Sequence, residues 1–407
     1  MRSLLFIALI AMVSSCSKPP ELPRTGMWRA VLRLQGQELP FNLDVVEDAA
    51  GSVDVYMLNA GERLLLDEVS LERDSVKMTL HVFDAQLRAK NFGDSLSGYF
   101  ELNYTPGYRI RFKAAFGQDY RFAPRDKSRT IKNFNGRYAV QFFNEKDTVQ
   151  AVGIIKQEGN YAEGSFLTPS GDHRYLEGSV INDTLHLSTF DGNHAYLYRV
   201  TKLNDSTLSG EQWMGRSRYR KWMGIKNEKA QLPNPEALTY LKPGFDKIEF
   251  KFPNTIGDSV SLTDEKYKGK AVVIQILGSW CPNCMDETKF LIPWYEKNKN
   301  RGVEIIGLSY ERKPEFDYAS ERVNKMIERY GIPYDVLIAG VYDVEKASAT
   351  LPQLNKVSVW PTTIFIGRDG KVKHIHTGYS GPGTGADYEE QVQRFNDVVN
   401  ELLNEKI

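Results

Sequence analysis

The sequence predicts an all-β amino-terminal domain and an α/β carboxy-terminal domain. Residues 25–227 contain short runs in which polar and apolar side chains alternate, broken by Gly, Asn and Asp, which is typical of antiparallel sheets with one face in water. Residues 245–407 contain near-continuous apolar runs, at 271–277 and 303–308, that alternate with helical segments, which indicates helices layered on buried strands. Residues 228–244 carry three prolines without a strand pattern and are predicted to be a linker.

The composition excludes several classes of protein. The 407 residues include 52 Lys and Arg against 52 Asp and Glu, so the formal net charge is zero. A nucleic-acid coating protein would be expected to carry a basic excess, and we therefore expect no nucleic-acid partner. Only three cysteines are present, which rules out a small disulfide-stapled domain and a Cys-rich zinc cluster.

The amino terminus predicts a signal peptide over residues 1–15. Its apolar run of ten residues, 4–13, would span about 15 Å as a helix, about half the hydrocarbon thickness, so it is too short to cross a membrane. The Val-Ser-Ser-Cys ending resembles the lipobox of bacterial lipoproteins, which implies that Cys16 is acylated and anchors the mature chain. The alternative is a plain signal peptide with an incidental cysteine. Residues 16–24 are Pro-rich and predict a short, stiff tether.

The all-β region also contains an apparent duplication. Three short segments recur in the same order 107 to 112 residues later, which predicts two repeats over 25–125 and 134–227. The matched segments are 26–28 with 136–138, 83–85 with 190–192, and 94–98 with 205–210. The alternative is that such turns recur by chance, and the sequence leaves open whether the region forms barrels, a sandwich or one larger sheet.

Two basic clusters and four histidines in this region invite a functional interpretation. Strand alternation places the three basic residues of each cluster on one face, and we interpret both faces as solvated rather than as ligand sites. The clusters are Arg216, Arg218 and Arg220, and Arg109, Arg111 and Lys113. The histidines lack metal-ligand spacing and are interpreted as ordinary strand and loop residues; they are His81, His173, His186 and His194.

The chemistry-bearing motif is a Cys-x-x-Cys pair between the first buried strand and the following helix. Cys281 lies where the helix dipole and free backbone N–H groups favour a negative sulfur, and such thiols have pKa values of roughly 3.5–7.5 instead of about 8.5. Pro282 suits the first helical turn. Cys284 is close enough to resolve a mixed disulfide within the molecule. The pair therefore predicts redox chemistry, and without a second cysteine pair we expect no metal.

Three segments give the carboxy-terminal domain its resemblance to a known family. They are GSWCPNC at 278–284, KGK at 268–270 and VWPTTIFI at 359–366. The domain resembles thioredoxin, and more closely the TlpA/ResA-like branch of thiol-disulfide oxidoreductases. This implies a thioredoxin fold that works through its cysteine pair with no other cofactor. The amino-terminal half resembles the β-rich extensions of lipoprotein members from Bacteroidota. This second resemblance implies no particular activity.

The resemblance assigns roles to residues around the pair. Cys281 would be the attacking thiolate and Cys284 the resolving thiol. Pro361 would be a cis-proline that faces the disulfide, where the backbone of Trp360 can hydrogen-bond a substrate chain. Trp280, in the motif itself, is expected to contact substrate with Trp360 and Pro361.

A proton carrier is also implied, together with departures from the family pattern. Glu287 matches the acidic residue that tunes thiol protonation in this branch, and helical spacing places it one turn from Cys284, although an exposed helical carboxylate would also be unremarkable. Gln275 stands where thioredoxin has a buried acid, and Lys289 replaces a usual proline. The Pro-Asn dipeptide between the cysteines leaves the direction of electron flow open.

Two functional hypotheses follow. The first is a lipid-anchored thiol-disulfide oxidoreductase, more a disulfide reductase than an oxidase, that exchanges disulfides with envelope proteins and has a membrane electron donor or acceptor. It would lie in the envelope of a Gram-negative bacterium, facing the periplasm or on the outer membrane. The second is a ligand- or protein-binding β-domain lipoprotein whose thioredoxin-like domain is a redox sensor or an assembly aid.

Overall fold

A computed structural model describes most of the chain. The signal peptide predicted over residues 1–15 and the predicted lipid anchor, Cys16, lie outside the described residues. Within the described part, no helix combines the length and the apolar character needed to cross a membrane. The described residues are 21–48, 51–72, 75–128, 132–145 and 147–405.

Nine antiparallel strands form the first β-sheet, in the order β4-β3-β2-β1-β9-β8-β7-β6-β5. The alternation predicted from sequence is visible in β9, where Ile110, Phe112 and Ala114 are buried while the basic residues between them are exposed. The strands are β1 (Gly26–Leu34), β2 (Gln37–Glu47), β3 (Val53–Asn59), β4 (Glu62–Leu65), β5 (Glu68–Glu72), β6 (Ser75–Leu80), β7 (Ala85–Asn91), β8 (Ser95–Leu102) and β9 (Arg109–Phe116).

The first sheet curls so that its two edges meet. Its edge strands, β4 and β5, are separated in the chain by Leu66 and Asp67. The N–H of Leu66 donates to Val55 O on one side (2.8 Å), and that of Asp67 donates to Thr79 O on the other (2.9 Å). The buried side chains of this sheet, which include the fully buried Trp28, form one apolar cluster that continues into the carboxy-terminal domain.

The second β-sheet also has nine strands and closes completely. Its order is β11-β10-β18-β17-β16-β15-β14-β12-β13, and an additional β11–β12 pairing completes a barrel. The strands are β10 (Gly136–Phe143), β11 (Thr148–Glu158), β12 (Tyr161–Thr168), β13 (Gly171–Asp172), β14 (Leu176–Ile181), β15 (Thr184–Phe190), β16 (Ala195–Lys202), β17 (Thr207–Met214) and β18 (Arg218–Lys226).

The two sheets share one topology. In each sheet, the first strand of the chain lies between the second strand and the last strand. Beyond the last strand, the neighbouring strands follow in descending order, from β9 to β5 in the first sheet and from β18 to β14 in the second. The segments matched by sequence fall at equivalent places, since Gly26 begins β1 and Gly136 begins β10. A duplicated chain would have this arrangement, and the duplication itself stays a prediction.

The carboxy-terminal domain is a five-stranded sheet with helices packed on it, in the order β23-β22-β21-β24-β25. Strands β21, β22 and β23 are parallel, and β24 and β25 are antiparallel. A separate hairpin precedes this sheet. The hairpin is β19 (Lys251–Pro253) and β20 (Ser259–Ser261); the sheet strands are β21 (Ala271–Leu277), β22 (Val303–Glu311), β23 (Asp335–Val341), β24 (Thr362–Ile366) and β25 (Val372–Thr377).

Four α-helices complete this domain. They are α1 (Pro282–Asn298), α2 (Phe316–Tyr330), α3 (Val344–Thr350) and α4 (Ala386–Asn404); single 3₁₀ turns lie at Pro235–Ala237, Lys299–Arg301 and Pro382–Thr384. Strand β23 and helix α3 were not predicted from the sequence. A short apolar run such as DVLIAGV has no alternation, so its period alone does not distinguish a buried strand from a buried helical turn.

Both β-sheets contact the carboxy-terminal domain. On the side of the first sheet, Arg329 of α2 forms an ion pair with Asp67 at 3.0 Å. On the side of the second sheet, Arg137 donates two parallel hydrogen bonds of 2.7 Å to Asp387 of α4. Bidentate Arg–carboxylate pairs fix orientation as well as distance. The carboxy-terminal domain is therefore bound to both sheets.

Candidate active site

The cysteine pair lies where the buried strand β21 meets helix α1. Cys281 and Cys284 form a disulfide with their Cα atoms 5.2 Å apart. Cys281 is the N-cap residue of α1, and its Sγ accepts a hydrogen bond from the backbone N–H of Cys284 at 3.2 Å. This N–H is one of the donors that a helix start leaves unpaired, so the same group can stabilise a Cys281 thiolate.

The loop before β24 faces the disulfide. The Trp360–Pro361 peptide bond is cis. Trp360 O lies 3.5 Å from Cys281 Sγ, so this backbone is close enough to meet a chain attached to that sulfur. Trp280 packs against Tyr342, with ring centroids 4.0 Å apart, and its indole N–H donates to a backbone carbonyl. The structure thus brings the residues implied by the family resemblance to one place.

Glu287 is buried behind the pair, with only 2% of its surface exposed. The alternative interpretation, in which Glu287 is an ordinary exposed helical carboxylate, is therefore wrong. Gln275 Nε2 donates to Glu287 Oε2 at 2.8 Å, and Thr363 Oγ1 donates to Glu287 Oε1. Burial raises the pKa of Glu287 to about 7, although these two hydrogen bonds lower it in part.

Gln275 connects this carboxyl group to the redox pair. Its Nε2 donates to Cys284 O at 3.2 Å as well as to Glu287, and its Oε1 accepts from Thr288 Oγ1 at 3.1 Å. The amide is fully buried on β21. The residue that sequence comparison marked as a missing acid therefore holds Glu287 in place one helical turn from Cys284.

The second β-sheet covers the start of helix α1, which sequence reasoning did not predict. Asn283, between the two cysteines, donates from Nδ2 to Asp172 O at 3.1 Å. Gly171 adopts φ +124°, and a Cβ there would lie 2.3 Å from Asn283 Nδ2. Only glycine allows this approach. The sequence marked Asn283 as unusual between such cysteines, but it did not indicate the partner.

Arg174, also from the second sheet, reaches the redox helix through a buried ionic cluster. It is 2% exposed, and its Nη1 donates to Pro282 O at 2.9 Å. Its guanidinium forms ion pairs with Asp286 of α1, Glu62 of the first sheet and Asp191 of the second. Burial lowers the pKa of Arg174, but these carboxylates raise it more, so the net shift is upward. One cation thus joins the three parts of the chain.

A cavity of about 550 Å³ lies between the two β-sheets and the carboxy-terminal domain, and Cys281 of the redox pair is part of its lining. Cys281, Trp280 and Trp360 line one wall, and Arg216 and Arg218 line another. These two arginines are exposed, as expected for a solvated face, but that face is a wall of the active-site cavity. Sequence reasoning missed this because alternation shows which residues share a face, not what lies opposite.

Comparison with known proteins gives consistent matches over the carboxy-terminal domain. A Redoxin family model matches residues 244–392. The chain is 28% identical over 137 residues to thiol-disulfide oxidoreductase ResA of Halalkalibacterium halodurans, covering 34% of this chain and 69% of that protein. It is 31% identical over 140 residues to ResA of Geobacillus thermodenitrificans, covering 34% of this chain and 72% of that protein.

Among solved structures, a thioredoxin-family thiol:disulfide interchange protein from Chlorobium tepidum matches with 19% identity and a TM-score of 0.30, covering 39% of this chain and 96% of that one. The predicted fold class is confirmed: an all-β amino-terminal region precedes a thioredoxin-like domain. The Cys281–Cys284 disulfide has the place in that domain that the motif predicted. The chain therefore belongs to the TlpA/ResA-like thiol-disulfide oxidoreductases.

Proposed function

We propose that this protein is a disulfide reductase of the bacterial cell envelope, anchored by a lipid on Cys16, that acts on disulfides of other envelope proteins. The observation that carries the proposal is the disulfide at the start of α1 with Trp360 O 3.5 Å from Cys281 Sγ. A sulfur at a helix N-terminus is favoured as the attacking thiolate, and the adjacent backbone acceptor can hydrogen-bond a substrate chain, so the two together suit exchange with a polypeptide disulfide. The location rests on the sequence of residues 1–16.

The exchange proceeds in two steps. In the reduced protein the Cys281 thiolate attacks one sulfur of a substrate disulfide, which forms a mixed disulfide and releases a substrate thiolate that takes up a proton. The Cys284 thiol then loses its proton, and its sulfur attacks Cys281 Sγ, which closes the Cys281–Cys284 disulfide and releases the second substrate thiol. Two electrons and two protons have passed to the substrate, and a membrane electron donor restores the pair. No metal or organic cofactor takes part.

Glu287 is the proposed proton acceptor for Cys284. A group that transfers protons efficiently has a pKa near the working pH, and burial brings the pKa of Glu287 to about 7. Its carboxylate is held by Gln275 and Thr363, and Gln275 also donates to Cys284 O, which links the carboxyl group to the second cysteine. Trp280, Trp360 and Pro361 would then contact the substrate chain beside Cys281.

Thiol trapping in cells tests the proposal. Alkylation of acid-quenched cells should show Cys281 and Cys284 mostly reduced in growing cells and oxidised after removal of the electron donor. A pair that stays in one state under both conditions would contradict the proposal. The second hypothesis, a binding lipoprotein whose thioredoxin-like domain is a sensor or an assembly aid, predicts that a Cys281→Ser, Cys284→Ser double variant keeps full activity in cells.

A further inference from the structure

The second β-sheet limits access to the redox pair. Cys281 is only 4% exposed, and Asn283 beside it is covered by Gly171 and Asp172. The remaining approach is the cavity of about 550 Å³, a volume within the roughly 300–1,000 Å³ that is usual for ligand pockets. A narrow extended segment fits such a space better than the convex surface of a folded protein does.

The cavity carries an excess of positive charge. Among the residues that the structure describes, its lining includes Arg216, Arg218 and Arg312 but a single carboxylate, Asp172. Asp172 already accepts hydrogen bonds from the backbone N–H groups of Arg174 (2.9 Å) and Gly381 (2.7 Å). Across the part of the chain that the structure describes, no carboxylate lies within ion-pair distance of the three lining arginines. Arg216 donates to Gly107 O (3.2 Å) and Arg312 donates to Asn193 Oδ1 (3.0 Å), which are neutral acceptors. Guanidinium groups without a carboxylate partner are suited to bind carboxylates from outside.

Polar atoms without partners lie in the same lining. Trp360 Nε1, Arg312 Nε and Asn283 Oδ1 are buried and lack a hydrogen-bond partner within the described residues. Buried polar groups are normally paired, so these two donors and one acceptor can form hydrogen bonds with a chain that enters the cavity. A polypeptide offers both C=O acceptors and N–H donors. The Cζ atom of Arg312 also lies over two aromatic rings of the lining, 4.0 Å from the ring centroid of Tyr104 and 4.8 Å from that of Trp280.

We propose that this cavity is the substrate-binding site, built jointly by the second β-sheet and the thioredoxin-like domain, and that it selects extended protein segments in which the reacting cysteine is flanked by Asp or Glu. The inference rests on the proposed thiol-disulfide exchange and adds the substrate class to it. Arg216 and Arg218 would bind the acidic flanks, while the backbone near Trp360 aligns the chain beside Cys281. The β-rich half would thereby determine specificity.

Three peptides of equal length test the proposal. Each carries one cysteine as a mixed disulfide with thionitrobenzoate, flanked by Asp, by Ser or by Lys. The protein is the full chain, detergent-solubilised and reduced, with Cys284→Ser so that the peptide stays on Cys281. The Cys281 thiolate attacks the peptide sulfur, a protein–peptide disulfide forms, and coloured thionitrobenzoate leaves with the electron pair. A Cys281→Ser, Cys284→Ser protein gives the blank.

We expect the Asp peptide to react about tenfold faster than the Lys peptide at low salt, and the difference to shrink at high salt, because charged clefts raise association rates by about 10- to 1,000-fold. Arg216→Glu with Arg218→Glu should abolish or reverse the order. Arg33→Glu with Arg111→Glu is the matched control, because both are exposed strand residues outside the cavity lining, and it should keep the order.

The outcomes separate the two proposals. Equal rates for all three peptides, or the same loss of preference in the control pair, would overturn the inference and leave the exchange activity standing. Release no faster than the blank from every peptide would overturn the exchange activity, and the inference with it. Circular dichroism shows whether the cavity variant folds. If it does not fold, the relative reaction rates of the three peptides with the Cys284→Ser protein, and the salt dependence of those rates, still test the inference.

Discussion

Glu287→Gln is expected to change how stability depends on pH. The folded-state pKa of Glu287 is about 7, above its ordinary value of 4.5. Below pH 4.5 the carboxyl group is protonated in both the folded and the unfolded state, so it does not change the free energy of unfolding. As the pH rises, the unfolded state releases the proton first, so the folded protein loses stability until about pH 7 and keeps that loss above it. The amide side chain of the variant cannot ionise, so the variant does not lose stability in this way as the pH rises.

The size of the effect follows from the shift in pKa. At about 1.4 kcal/mol per pKa unit, the wild-type free energy of unfolding should fall between pH 5 and pH 8 by about 2–3 kcal/mol more than that of the variant. Denaturant unfolding of the oxidised protein at both pH values measures this difference. Glu296→Gln, an exposed carboxylate on the same helix, is the control and should preserve the wild-type dependence. Parallel curves for wild type and Glu287→Gln would refute the reasoning.

Two further predictions concern the contact between the second sheet and the redox helix. Arg174→Met leaves Asp286 and its neighbours buried without their cation and should lower the free energy of unfolding by about 3–5 kcal/mol in denaturant titrations; a loss below about 1 kcal/mol would show that the cluster does not hold the parts together. Gly171→Ala places a Cβ against Asn283 at a positive φ and should lower the melting temperature. Adding Asn283→Ala should recover part of that loss, and two independent, additive losses would contradict the predicted clash.

The fold was largely predictable because its signals are local. Alternation marked the strands of both β-sheets, and the continuous apolar run at 271–277 marked the buried centre of the second domain. Strand β23 was not predicted because its apolar run is short and does not show the periodicity of a strand or of a helix. Closure of the second sheet depends on pairing between β11 and β12, and the sequence gives no sign of how far a meander will curl.

The candidate site was predictable only within the motif. Cys281, Cys284 and Pro361 could be assigned from short segments, because a helix start and its cysteine spacing are set locally. Gln275 and Glu287 are 12 positions apart, and their contact requires the packing of α1 on β21. The approach of Arg174 to Pro282 spans 108 positions and joins two domains, so no local pattern could reveal it.

The reduction potential of the Cys281–Cys284 pair tests the central claim most directly. The full-length protein is equilibrated in thiol–disulfide buffers of known potential, and the oxidised fraction is measured by alkylation and mass shift. A reductase of envelope disulfides should show one two-electron transition at about −270 mV, the potential of a thioredoxin-type reductant. A transition at about −120 mV, the potential of a strong oxidant, or no reversible transition at all, would contradict the proposed function.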